Sequence, residues 1–258
     1  MKTLILAGGF GTRISEETSI RPKPMVEIGG RPIIWHIMKS YAQYGLTDFV
    51  VLGGYKVDFI RNYFLNYTHG SSDFTVDLAT GELVWQRRNA EAWRVTVLDT
   101  GANSMTGGRI RRAREIVGNE RFCLTYGDGV SDVDIGELLK FHERKKAACT
   151  VTAVVPPGRF GVLAMDPAGE KVEAFREKDQ QDVGLINGGF FVCEPSVFEL
   201  IEGDDTIWEQ DPMRKLAAQG ELAAFRHDGF WQAMDTLRDR MVLEQMWESG
   251  KAPWATWR

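Results

Sequence analysis

Residues 4 to 25, LILAGGFGTRISEETSIRPKPM, join an apolar run to a glycine-rich turn and then to a basic, proline-framed segment. No other stretch limits the fold as much. Leu4-Ile5-Leu6 reads as a short buried strand that stops abruptly at Gly8, Gly9 and Gly11, because glycine admits backbone angles and close approaches closed to other residues. Consecutive backbone N–H groups at such a stop can face an anion, and Arg13 and Lys23 add a guanidinium and an ammonium where phosphate oxygens would lie. The stretch is therefore read as a cradle for a nucleoside triphosphate.

Two better-known phosphate loops do not fit. A P-loop ends in Gly-Lys-Ser/Thr after four intervening residues, and no such ending follows here. The dinucleotide fingerprint needs a third glycine or alanine, where Gly9-Phe10-Gly11-Thr12-Arg13-Ile14 places isoleucine. Ile14 thus argues against an NAD-dependent oxidoreductase.

Further along, Arg31-Pro32 predicts a helix start and Gly45 its stop, with Ile34, Ile37, Met38 and Tyr41 at helical spacing. His36 falls between them and is read as a packing residue. Phe49 to Leu52, ended by Gly53-Gly54, is a second buried strand, and 56–64 its helix. Two β-α units in succession predict a doubly wound sheet with right-handed crossovers. The expected fold is one α/β domain over 1–258, Rossmann-like, with a mixed, mainly parallel sheet flanked by helices and small antiparallel insertions. A chain of 258 residues is long enough for such a core. Residues 66–100 change character: TVDLATGELVWQRR and WRVTVLDTG predict antiparallel or edge strands around Ala79-Thr80-Gly81. That segment is expected as a β insertion near the site or at a subunit contact, with Trp85 and Trp93 packing.

A net charge of −5 without a dense Lys/Arg run argues against a nucleic-acid partner. The basic cluster from Arg109 to Arg114 reads as a helix face toward solvent and substrate. Cys123, Cys149 and Cys193 lack metal-ligand spacing and cannot all pair, so free thiols in a reducing compartment are expected. No apolar stretch approaches the roughly 20 residues of a membrane span, and Leu4 to Ala7 is too short for a signal-peptide core. A cytoplasmic protein with no membrane partner is expected.

Three more stretches carry candidate site residues. Ser104 to Arg109 places hydroxyls and glycines at a helix start, where free N–H donors would meet the positive end of the dipole; the alternative is an ordinary N-cap. Phe122 to Tyr126 is a buried strand ending in Gly127-Asp128-Gly129, and a carboxylate freed there is a candidate metal ligand. Asp132 and Asp134 need only cap the helix predicted from Ile135 to Lys146. Asp235, before the last amphipathic helix, is a second candidate ligand or that helix's cap. Two carboxylates with open water positions suit Mg2+. Asn187-Gly188, inside the apolar strand from Leu185 to Val192, marks a bulge or a close ligand approach.

LAGGFGTR followed by RPKPM resembles the signature of the sugar-phosphate nucleotidylyltransferases, also called nucleoside-diphosphate-sugar pyrophosphorylases, and the resemblance runs over nearly the whole chain. It implies a Rossmann-like domain that joins a nucleoside triphosphate to a sugar 1-phosphate with Mg2+. It implies nucleotide contacts at Leu6, Ala7, Gly8, Gly9, Gly11, Thr12, Arg13, Lys23, Ser104, Arg109, Gly127 and Asp128. Catalytic roles fall on Arg13, Lys23 and Asp128, and metal ligation on Asp128 and Asp235. Gly161, Glu177, Lys178, Asn187 and Gly188 are implied for the sugar phosphate, with Asp179 standing where the family carries proline. The expected reaction is direct in-line attack of the sugar phosphate on the α-phosphorus, expelling pyrophosphate. SMTGGR, PPGRFG, INGGFFV and FWQAMDTLRD together look most like the members that take CTP and α-D-glucose 1-phosphate, and a homo-oligomer is implied. A uridylyl or thymidylyl transferase and a non-catalytic nucleotide-sugar sensor are the rival readings.

Overall fold

Seven apolar stretches of the chain pair edge to edge into one sheet. Across it the order is Leu222–His227, Cys149–Val154, Ile186–Cys193, Phe122–Tyr126, Lys2–Ala7, Asp48–Gly53 and Arg94–Asp99. All neighbours run parallel except Ile186–Cys193, which is antiparallel to both strands beside it. The computed structural model describes residues 1–87, 89–156, 161–165, 172–177 and 184–258, with backbone alone for 161–165 and 172–177. Within these, the mixed, mainly parallel α/β architecture expected from the sequence is present.

Successive side chains of a strand point to opposite faces, so each central strand feeds two cores. Ile5, Phe49, Val51 and Cys123 enter one, covered by the helix Ile33–Ala42 and by Ile135 and Leu138 of the helix Ile135–Lys145. Leu4, Leu6, Val50, Leu52 and Leu124 enter the other, covered by Ile110, Val197, Phe198, Trp208 and Leu216. The first core continues to the end of the chain, where Trp254 is fully buried and stacks on Phe230 and Trp247.

Several boundaries differ from expectation for local reasons. Arg31–Pro32 pairs with Glu27–Ile28 across Gly29-Gly30, both at positive φ, so the helix starts only at Ile33. Asp134 caps the next long helix by accepting from the Glu137 N–H, as expected, while Asp132 faces His227 at 2.9 Å. Of residues 66–100, Asp73–Val76 and Leu83–Arg87 form a separate, largely exposed hairpin. Arg94–Asp99 instead lies parallel to Asp48–Gly53 as an edge of the main sheet. The basic stretch is not one helix: Thr106–Arg112 ends at Ala113 and Arg114–Val117 follows. Arg109 is buried, whereas Arg112 and Arg114 pair with Asp204 and Glu199.

The cysteines are free and buried. Cys149 and Cys193, distant in sequence, lie opposite each other on paired strands with their sulfurs 3.7 Å apart. Burial pushes the Cys123 thiol up to about 12. No helix among the described residues is long and apolar enough to cross a membrane.

Candidate active site

Three strands that run in one direction, Lys2–Ala7, Arg94–Asp99 and Phe122–Tyr126, end at the same edge of the sheet, and the segments after them build a cleft of about 460 Å³. Gly11 turns the chain at φ +64°, and its carbonyl accepts from the Ile14 N–H and the Thr18 hydroxyl. Gly8 is glycine for a steric reason: a Cβ there would lie 2.1 Å from the Arg109 guanidinium packed behind it. Every residue expected at the nucleotide lines this cleft, from Leu6 through Thr12 to Arg13, Lys23, Ser104, Arg109, Gly127 and Asp128.

A second chamber of about 350 Å³ adjoins the first and shares Arg13, Tyr126 and Asp128 with it; Asn187, Gly188, Trp231 and Asp235 line its other side. Asp235 arrives there through backbone pairing. Trp231–Ala233 runs antiparallel to Gly129–Ser131, and the Met234 N–H donates to the Asp128 carbonyl at 2.8 Å. Two carboxylates more than a hundred residues apart thus meet at the junction of the chambers. The cap of the last helix, Leu237–Glu248, is Thr236 in a capping box with Asp239, which leaves Asp235 outside the helix.

Lys23 lies between the two acids. Its Nζ is 2.6 Å from Asp128 and 2.8 Å from Asp235, and Arg13 reaches Asp235 at 2.8 Å from a side chain 74% exposed to solvent. Burial alone would lower the Lys23 ammonium, but the charges and hydrogen bonds of Asp128 and Asp235 outweigh it, and the net shift is upward. The cluster therefore holds a fixed positive charge on two convergent carboxylates. These are hard oxygen donors beside a cleft sized for a nucleotide, a set that fits a magnesium-like cation. Among the described residues no group of three or more His, Cys, Asp or Glu side chains converges.

The structure changes the reading of the second loop. The N–H groups of Met105, Gly107 and Gly108 are not free donors at a helix start: they bond the carbonyls of Asp204 and Thr206. Gly107 and Gly108 are required by contact, since a Cβ would stand 2.7 Å from the Thr206 carbonyl oxygen or 2.5 Å from that of Asp204. Ser104 donates to the Thr100 carbonyl. The Arg109 guanidinium is satisfied by the hydroxyl of Thr100 and the carbonyls of Gly53, Gly101 and Ala102, so it braces the loop wall of the cleft. Asn187 bonds Tyr126 through Nδ2 and accepts the Gly189 N–H on Oδ1.

Gly161 and Glu177 face each other at one end of the backbone hairpin Gly161–Met165 and Val172–Glu177, and Lys178 lies outside the described residues. Sequence reasoning missed Thr106, Tyr126 and Glu209. Tyr126 stood at the end of a predicted strand beside Asp128 and was the nearest to being found. Glu209 sits in a loop where nothing local marks it.

Cleft, paired acids and basic loop define a nucleotide-transfer site, and the family model for nucleotidyl transferases matches residues 2–239. The chain belongs to that family. It is 54% identical, over the full length of both chains, to the glucose-1-phosphate cytidylyltransferase of Salmonella typhimurium. Among solved structures it is similar to HddC from Yersinia pseudotuberculosis, with a TM-score of 0.71 and 22% identity over 95% of this chain and 99% of that one. A UDP-glucose pyrophosphorylase complexed with UDP-glucose aligns at TM-score 0.68 and 17% identity, over 96% of this chain and 98% of that one. These two likenesses concern the fold.

Proposed function

We propose that this site transfers a cytidylyl group from CTP to α-D-glucose 1-phosphate, giving CDP-glucose and pyrophosphate. The observation that carries the choice of substrates is the full-length, 54% identity to a cytidylyltransferase named for them. In this reading the glycine loop and the 102–106 loop hold the nucleotide, and Arg13 and Lys23 meet its triphosphate oxygens. The sugar phosphate enters the adjoining chamber beside Asn187 and Gly188, with Gly161, Glu177 and Lys178 assigned to it from the sequence. An oxygen of the sugar phosphate attacks the α-phosphorus in line, and the P–O bond to pyrophosphate breaks. No proton need be removed from an already ionised phosphate, so the residues act by alignment and charge.

Asp128 and Asp235 are the residues that would hold Mg2+. When bound, the ion supplies charge neutralisation at the phosphates. Lys23, held between the two acids, would supply positive charge beside the same phosphates. The reading includes a cytoplasmic location and a homo-oligomer; Leu65, Phe74 and Leu78 are exposed apolar side chains of the kind assembly covers.

The test is pyrophosphate release with glucose 1-phosphate and Mg2+, offering CTP, UTP, dTTP and ATP in parallel. Release with CTP in clear preference is expected. Faster release with UTP or dTTP would keep the chemistry and replace the base, and no release with any of them would leave a nucleotide-sugar sensor.

A further inference from the structure

Glu209 lines neither chamber, yet its carboxylate holds residues of both. One oxygen accepts from the Thr106 hydroxyl at 2.6 Å, and Thr106 lines the nucleotide cleft. The other accepts from the Tyr126 hydroxyl at 2.6 Å, and Tyr126 lies where the two chambers meet. The Tyr126 oxygen in turn accepts from Asn187 Nδ2 at 3.0 Å, inside the second chamber.

The direction of every bond in this chain follows from the charge at its middle. An ionised carboxylate only accepts, so both hydroxyls must point their protons at Glu209. The Tyr126 oxygen is then left to accept, which fixes the Asn187 amide with its nitrogen toward Tyr126. Asn187 Oδ1 meets the Gly189 N–H at 2.8 Å, the second constraint on the same orientation. The Tyr126 ring packs closely over Gly189, at φ +82°, where a Cβ would stand 2.5 Å from it. Burial and then the neighbouring Glu209 charge hold its phenol protonated, well above the usual tyrosine range. On the nucleotide side the Thr106 oxygen also accepts the Trp208 N–H, which docks the start of the helix Thr106–Arg112 on the 203–209 loop.

We propose that Glu209 is a positioning residue that sets, through Thr106 and Tyr126, the shape of the nucleotide wall and the hydrogen-bonding polarity that Asn187 offers a sugar. The inference rests on the reaction proposed above and adds to it the residue that ties the two substrate chambers together. A glutamine at 209 keeps the size but brings an N–H₂ that must donate. One of the two hydroxyls then has to turn its proton away, and where that hydroxyl is Tyr126 the Asn187 amide loses its fixed sense.

The experiment is a steady-state comparison of wild type, Glu209→Gln, Tyr126→Phe and the double variant, with a melting curve for each. Glu209→Gln is expected to raise KM for glucose 1-phosphate by about tenfold, the size of effect for a hydrogen bond to a charged group, and to raise KM for CTP as well. Tyr126→Phe should raise the sugar-phosphate KM alone. Adding Glu209→Gln to Tyr126→Phe should raise that KM no further, since both changes cut the same chain. Wild-type KM values in a folded Glu209→Gln, or effects that simply multiply in the double variant, would overturn the proposal. Should Glu209→Gln not fold, Glu209→Asp, whose shorter arm cannot reach both hydroxyls, takes its place with the same expectations. An inactive wild type would count against the proposed reaction instead. Calorimetric titration with CTP then decides for Glu209: weaker binding by the variant supports its role, and equal binding overturns it.

Discussion

Asp128 and Asp235 each place an oxygen on the same Lys23 ammonium, and Asp235 also pairs with Arg13, so the two acids share one charge balance. Asp128→Asn or Asp235→Asn keeps an oxygen to accept from Lys23 while removing the negative charge a cation needs. Either change is expected to lower Mg2+-dependent pyrophosphate release by roughly a hundredfold or more with the fold retained, in line with losing a principal electrostatic group. Near-normal Mg2+-dependent turnover by either variant would show that residue not to be a ligand. The sequence carried these residues unevenly. Asp128 is marked by its place between two glycines at a strand end, a position that topology makes functional. Asp235 has no such local mark, because its meeting with Asp128 depends on a short antiparallel pairing of 231–233 with 129–131. Arg109 reads from sequence as a cation facing a ligand, but it spends its donors on four protein oxygens, an arrangement that only the folded loop reveals.

The helix Thr106–Arg112 illustrates how an element can be legible in place and illegible in purpose. Ser104 to Gly108 look like a helix start from composition alone, and a helix does start there. The reason for two consecutive glycines is the loop from 203 to 208, about a hundred residues later, whose carbonyls press against them. Gly108→Ala would drive a methyl group to 2.5 Å from the Asp204 carbonyl oxygen. Such overpacking costs about 1–3 kcal/mol. The expected result is a lower midpoint in chemical denaturation together with a raised KM for CTP, because the same helix carries Thr106 and Arg109. An unchanged midpoint and KM would mean that the loop yields without consequence. The strand readings were sounder: Leu4 to Leu6 and Phe49 to Leu52 are continuous apolar runs that stop at glycines, and Phe122 to Tyr126 is broken only by Thr125, the mark of strands covered on both faces.

At the scale of the whole molecule, the two ends of the chain share one core. His36 is fully buried near the start, donates to the Ile28 carbonyl through Nε2 at 2.9 Å, and faces Trp254 Nε1 through Nδ1 at 3.3 Å. With one nitrogen donating and the other accepting from an indole N–H, the ring has to be neutral. Burial accordingly holds its pKa down at about 4, against 6.5 for an ordinary histidine. Below pH 6.5 the unfolded chain takes up a proton that the folded chain refuses until about pH 4, so this stability is present above 6.5 and lost as pH falls through that window. His36→Gln should lower the melting temperature at neutral pH and flatten its fall between pH 6.5 and 4; a wild-type acid slope in the variant would assign the slope to other groups. The doubly wound architecture was legible from alternating strands and helices. The closure of the core by Trp254 was not, since the five residues 254–258 show no periodicity to read.

That closure bears on how the protein is made. A ribosome makes the strand Lys2–Ala7 before either of its neighbours, yet the second of these is not synthesised until residues 122–126, and the indole that covers His36 comes only at residue 254. The nascent chain must therefore carry its phosphate loop on a strand that stays half-paired until residues 122–126 are made. The scaffold on which that loop is held is complete only once residue 254 has emerged and its indole has closed over His36.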